Sequence, residues 1–109
     1  MQIEVEKTGN IKILSLIGDL DGSSAPEVRE DLLSHIDNNS KLVLDMSQCE
    51  YISSAGLRVL LIISKKLKAK DGKGVLAGLV EDVKDVMEIT GFDHMLNSYE
   101  TVEEAINSL

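Results

Sequence analysis

The sequence predicts an α/β domain with a mixed, mostly parallel sheet of four to five strands and the element order β-β-α-β-α-β-α-β-α. Three observations predict this class. Short apolar or alternating stretches are typical of strands, and they recur along the chain. Between them lie segments whose apolar residues follow the spacing of a helix face. Strands that alternate with helices favour parallel pairing through right-handed crossovers.

The chain begins with two strands that a tight turn connects. Residues 3–7 alternate apolar and charged side chains, Gly9 and Asn10 are turn residues, and residues 11–17 form a second, more apolar strand. So short a connection predicts an antiparallel hairpin. Residues 18–22 form the loop that leaves the second strand.

The first helix is predicted to follow this loop. Ser23 or Ser24 can cap it, and Pro26 suits the first helical turn. One face carries apolar residues at offsets of four, five and eight from the first of them: Val28, Leu32, Leu33 and Ile36. Polar residues 37–40 end this helix. The apolar segment 42–46 then predicts a short strand that is covered on both faces, as in parallel sheets.

The second helix is the longest, and it is predicted to run from the serines at 53 and 54 to about Ala69. Its face is formed by Leu57, Leu60, Leu61, Ser64 and Leu67, with Val59 and Ile63 widening it. Asp71 and Gly72 supply the stop signal, because glycine is common just past a helix end. Residues 75–79 predict the next strand.

The last third of the chain predicts two shorter helices around a weak strand. Val83, Val86, Met87 and Thr90 mark a helix that Gly91 ends, and residues 95–99 form the weak strand. Thr101 and Glu104 have the spacing of a capping box at the start of the final helix.

Composition limits the classes of function. The length of 109 residues fits one domain, and residues 1–109 are predicted to form it. A net charge of −8 disfavours binding to nucleic acid or to an anionic membrane. Cys49 is the only cysteine, and no apolar run is long enough to span a bilayer. These features predict a soluble, cytoplasmic protein.

Two adjacent serines stand where a loop enters the second helix. An N-cap needs one of them, and a capping Ser53 requires no function to explain it. Ser54 is a second hydroxyl, and the small residues Ala55 and Gly56 after it would leave that hydroxyl open to approach. A helix N-terminus tolerates an anion, so the hydroxyl is a plausible phosphate acceptor. Spacing alone leaves the structural and the functional interpretation open.

The segments 42–47 and 52–60 resemble the STAS domain of bacterial anti-sigma factor antagonists. Residues 18–21 resemble the loop after that family's second strand, and the element order matches, so the resemblance covers essentially the whole chain. It implies that Ser54 is the phosphorylated serine and that Asp21 is the family's loop aspartate. The residue before the acceptor is usually an aspartate, and here it is Ser53.

The resemblance implies a switch without catalytic activity or cofactor. The unmodified protein would bind an anti-sigma factor that is also a serine kinase, phosphorylation would release it, and a PP2C-type phosphatase would reset the cycle. Arg58 and Ile62 follow Ser54 at offsets of four and would extend the same patch. The predicted partner-binding residues are Asp21, Ser53, Ser54, Gly56, Arg58 and Ile62.

Two other functions remain open at this point. A STAS domain can serve as an adaptor of a transport or larger signalling complex without a phospho-switch. A small enzyme is disfavoured, because no nucleophile, base and orienting group can be assembled from the motifs. Lysines at 65, 66, 68, 70 and 73 suit the C-terminal end of a helix, and they could also attract an acidic partner.

Overall fold

The computed structural model describes residues 1–109 and contains five strands and four helices in the predicted order. The strands are β1 (Gln2–Thr8), β2 (Ile11–Ile17), β3 (Lys41–Asp45), β4 (Lys73–Ala77) and β5 (Ser98–Tyr99). The helices are α1 (Ala25–Leu33), α2 (Ser54–Ala69), α3 (Glu81–Thr90) and α4 (Val102–Asn107), and a short 3-10 helix spans Phe92–His94. None of the helices is long and apolar enough to cross a bilayer.

All five strands belong to one sheet in the order β1-β2-β3-β4-β5. β1 and β2 are antiparallel, and Gly9 in the turn between them has a φ of 61° that favours glycine. The other neighbouring strands are parallel. The prediction of a mixed, mostly parallel sheet is therefore confirmed.

Helices cover both faces of the sheet. α1, α2 and α3 pack on one face over the larger core, which includes Leu42 and Leu44 of β3. Val43 points to the opposite face and lies in a smaller core with Ala105 of α4. Because β3 is covered on both sides, its sequence is apolar without alternation.

Three elements differ from the predictions by two residues or more at an end. α1 ends at Leu33, and Ile36 follows the exposed Ser34 but is itself buried, so its spacing imitated a longer helix face. β4 ends at Ala77 because the chain turns at Gly78, where φ is 69°. β5 is reduced to Ser98–Tyr99, because Met95 and Leu96 turn back toward the 3-10 helix, where their amides donate to the Phe92 carbonyl.

Candidate functional site

The loop after β2 lies beside the loop after β3. A parallel bridge pairs Leu20 with Ile52. The Leu20 amide donates to the Tyr51 carbonyl at 3.0 Å, and the Ser53 amide donates to the Leu20 carbonyl at 3.0 Å. The parallel pairing of β2 and β3 thus continues past their ends and holds the segment containing Asp21 next to the start of α2.

Ser53 is the N-cap of α2. Its backbone is extended, with φ −96° and ψ 177°, and its Oγ accepts a hydrogen bond from the Gly56 amide at 3.3 Å. This bond satisfies one of the amides that have no partner within the first turn of a helix. The fold therefore accounts for the hydroxyl of Ser53.

Ser54 differs from Ser53 in its position, its exposure and its hydrogen bonding. It is the first residue of α2, and its side chain is exposed. Its hydroxyl makes no hydrogen bond to the rest of the chain. The side-chain hydrogen bond at this helix start is accepted by Ser53 instead. The free hydroxyl is held at the positive end of a 16-residue helix, where backbone amides favour an anionic substituent.

Gly56 is buried where α2 approaches the loop after β2. A Cβ at this position would lie 2.5 Å from the Leu20 carbonyl oxygen and 2.8 Å from Cγ1 of Ile52. Only glycine permits this approach, so Gly56 sets the distance between the helix and the loop. Gly56 was predicted to contact a partner, but it is buried and has no side chain to offer. Its part in the predicted patch is to let the start of α2, which carries Ser54, lie close to the loop.

Asp21 holds its own loop in shape. Its Oδ1 accepts hydrogen bonds from the Ser23 hydroxyl at 2.7 Å and from the amides of Ser23 and Ser24 at 2.9 and 3.2 Å. The bond from the Ser23 hydroxyl, followed by those from the Ser24 and Ser23 amides, lowers the pKa of Asp21 below its usual value. The other carboxylate oxygen, Oδ2, accepts none of these bonds, so it can face a partner.

Arg58 and Ile62 lie with Ser54 on one groove of about 420 Å³ between α1 and α2. The part of the predicted patch that lies on α2 therefore forms one wall of a concave surface. The opposite wall includes Pro26 and Arg29 of α1, which the sequence analysis did not assign to the site. The scarcity of arginine could have pointed to Arg29, because the chain has only two arginines and the other, Arg58, was already assigned to the patch.

Cys49 is fully buried, and its thiol donates to the Tyr51 carbonyl at 3.4 Å. Burial raises the pKa of the Cys49 thiol, which disfavours the reactive thiolate. No cluster of three or more His, Cys, Asp or Glu side chains is placed to hold a metal ion. The structure brings the Ser54 hydroxyl and the two arginines together in one groove, whereas the Asp21 carboxylate lies in the adjoining loop and does not line that groove.

Residues 2–105 match the family model described as the STAS domain. BtrV of Bordetella bronchiseptica, which is provisionally named an anti-sigma factor antagonist, is 36% identical over 93 residues, covering 84% of this chain and 80% of BtrV. The anti-sigma-B factor antagonist of Listeria monocytogenes is 29% identical over 97 residues, covering 88% of this chain and 84% of the relative.

Solved structures share the fold at lower identity. A Thermotoga maritima protein, also provisionally named an anti-sigma factor antagonist, has a TM-score of 0.87 at 24% identity and covers 97% of this chain and 92% of its own. The Bacillus cell fate determinant SpoIIAA in its phosphorylated form has a TM-score of 0.71 at 18% identity, with 98% of both chains covered.

Proposed function

The chain belongs to the STAS domain family, and we propose that it is an anti-sigma factor antagonist that phosphorylation of Ser54 switches off. In the unmodified state it binds an anti-sigma factor that is also a serine kinase, acting in the cytoplasm. The kinase transfers the terminal phosphoryl group of ATP to Ser54 Oγ, with ADP and the hydroxyl proton as the other products, and the complex dissociates.

The observation that carries this proposal is the contrast between the two serines. Ser53 is used by the fold as a cap, whereas Ser54 is exposed and makes no hydrogen bond within the chain. A kinase needs an acceptor hydroxyl that it can reach without unfolding its substrate. Ser54 meets that condition at the position where the family resemblance places the acceptor.

The switch follows from the charge that phosphate adds. A phosphoserine carries about −1.5 to −2 charges and three acceptor oxygens. A partner seated on Ser54 and Arg58 would have to accommodate this group and remove water from a dianion, which is unfavourable without a matching cation. Phosphorylation therefore weakens binding at the contact itself and requires no change in the fold.

Ser53 stands where relatives of this type usually have aspartate. Serine and aspartate are similarly effective N-caps, so the helix start is preserved while one negative charge is lost. In this proposal Asp21 supplies the acidic group near the acceptor, through the carboxylate oxygen that its loop does not use. A PP2C-type phosphatase restores the hydroxyl by hydrolysis of the exposed phosphoester.

The proposal is tested by phosphorylation and binding with the anti-sigma factors encoded in the same genome. Each purified candidate is incubated with this protein and ATP, and mass spectrometry maps any added phosphate. We expect phosphate on Ser54, none on the Ser54→Ala variant and normal modification of a Ser34→Ala control, whose exposed serine lies at the far end of α1.

Binding of the same anti-sigma factor is then measured by titration calorimetry with the unmodified and the phosphorylated protein. We expect the dissociation constant to rise at least about tenfold on phosphorylation, which corresponds to about 1.4 kcal/mol. Equal binding by both forms would refute the switch. Stable binding to transporter subunits without modification would favour the adaptor function instead.

A further inference from the structure

The groove beside Ser54 is one of two hollows between α1 and α2. A second hollow of about 640 Å³ lies between the same helices, nearer the end of α2, and Ile62 lines both hollows. Val59 and Leu33 add to the apolar floor. We call the two hollows together the α1–α2 seam.

The walls of the seam are basic in a protein that is acidic overall. They contain five of the eleven basic residues, namely Arg29, Arg58, Lys65, Lys66 and Lys70. None of the nineteen carboxylate side chains lines either hollow. Arg29 lies 3.6 Å from Glu30, but this pair is exposed and such pairs contribute little.

We propose that the α1–α2 seam is the docking site for an acidic, amphipathic segment of the anti-sigma factor. This inference rests on the proposed function and names the partner's chemistry. Apolar side chains of the segment would pack on Ile62 and its neighbours, and its carboxylates would face the arginines and lysines of the walls. Complementary charges around an apolar centre are typical of specific interfaces.

The shape and charge of the chain favour a protein segment over other polyanions. The seam has an apolar floor between two helices, a form that suits an inserted apolar helix face. With 16 residues, α2 is about 24 Å long, which matches a partner helix of four turns or more. A nucleic acid or an anionic bilayer presents a broad charged surface that would also face the acidic residues outside the seam, whereas a single segment would contact the basic seam alone.

The seam also links the partner's chemistry to the switch. Ser54 and both arginines line the same hollow. A phosphate on Ser54 would place a dianion at the end of the seam where the arginines face the segment's carboxylates. The phosphate would repel those carboxylates and compete for the same cations, so phosphorylation would act on the most charged part of the contact.

The test uses two synthetic peptides and the full-length, isotope-labelled protein. One peptide, of about 16 residues, has leucine on one helical face and glutamate elsewhere, and the second has lysine in place of glutamate. We expect the glutamate peptide to bind saturably, to shift the amide resonances of α1 and α2, and to bind at least about tenfold more tightly than the lysine peptide at low salt.

Variants separate the seam from general electrostatic attraction. The double variant Arg29→Glu and Arg58→Glu should weaken binding of the glutamate peptide at least about tenfold. Lys84→Glu, on the exposed side of α3, reverses one charge outside the seam, which is half the charge change of the double variant. It should have little effect on binding of the glutamate peptide. Equal binding of both peptides, resonance shifts outside α1 and α2, or absence of binding would overturn the inference.

Two further measurements keep this inference distinct from the proposed function. If phosphorylation of Ser54 controls anti-sigma factor binding and the double arginine variant still binds that factor normally, the seam inference is wrong and the proposed function stands. Absence of phosphorylation together with peptide binding to the seam would instead reject the switch. Tighter binding to phosphatidylglycerol vesicles than to the glutamate peptide would assign the seam to a membrane and overturn the inference.

Discussion

Two adjacent serines perform different tasks because a helix start treats consecutive positions differently. The N-cap side chain turns back to an amide of the first turn, as Ser53 does toward Gly56. The next side chain points outward, as the exposure of Ser54 shows. The fold thus uses the hydroxyl of Ser53, and the proposed function assigns the switch to the hydroxyl of Ser54, so substitutions can separate stability from the proposed regulation.

Ser53→Ala should lower the free energy of unfolding by about 1 kcal/mol, because it removes the cap of α2. Ser54→Ala should change it by less than about 0.5 kcal/mol, because that hydroxyl is exposed and makes no hydrogen bond within the chain. Urea denaturation of both variants measures the difference. A larger loss in the Ser54 variant would contradict the assignment of the two hydroxyls.

Asp21 should make stability depend on pH in acid. Hydrogen bonds from the Ser23 hydroxyl and the Ser24 and Ser23 amides hold its pKa below the unfolded value, so the folded state binds the proton less readily. Its stabilising contribution is complete above the unfolded pKa and is lost as the pH falls through the folded pKa.

The Asp21→Asn variant should therefore be less stable than the original protein at neutral pH, and the difference should shrink below about pH 4. Melting temperatures measured between about pH 7 and pH 2 test this expectation. Glu4→Gln, on the exposed strand β1, is the control. A difference between Asp21→Asn and the original protein that stays constant with pH would show that the hydrogen-bonded carboxylate is not the cause.

At the level of elements, the start of α2 is positioned by backbone contact with the loop after β2. The pairing of Leu20 with Ile52 brings the two segments together, and Gly56 allows the helix to approach the Leu20 carbonyl. Helix propensity alone would prefer alanine at Gly56 by about 1 kcal/mol. Close packing therefore outweighs propensity at this position.

Gly56→Ala should destabilise the protein by about 1–3 kcal/mol, because its Cβ would collide with backbone that cannot rotate away. Gly22→Ala is the matched control in the neighbouring loop, where an added Cβ meets nothing within 4 Å. That variant should be neutral or slightly stabilised. Thermal unfolding compares them, and equal stability of both variants would contradict the close approach.

For the whole molecule, the site proposed for phosphorylation is located outside both cores. The larger core lies between the sheet and α1, α2 and α3, and the smaller core lies beneath α4. Ser54 belongs to neither. A charge added there changes a surface and leaves intact the burial of apolar area that stabilises the fold.

Ser54→Asp should accordingly keep the melting temperature within about 2 °C of the original protein, an effect below about 0.5 kcal/mol for a domain of this size. Changes in amide resonances should be confined to the start of α2 and the adjoining loop. Calorimetry and a two-dimensional NMR spectrum check both expectations. A large fall in melting temperature would mean that the phosphate acts by unfolding.

The sequence by itself determined the element order and indicated that one of the two adjacent serines caps α2 while the other is left over. Apolar periodicity marks each helix and strand, and residues next to one another along the chain are enough to indicate a cap followed by a free hydroxyl. The ends of α1, β4 and β5 were less accurate, because buried turn residues and left-handed glycines alter where an element stops.

Only the tertiary structure decided how the site is enclosed. Arg29 and Arg58 come from different helices, and they share a groove because α1 and α2 pack side by side on the same face of the sheet. Likewise, Gly56 contacts Leu20 only after two parallel strands align their loops. Local periodicity places a residue on its own element, but contacts between elements depend on how the helices are rotated and packed in three dimensions.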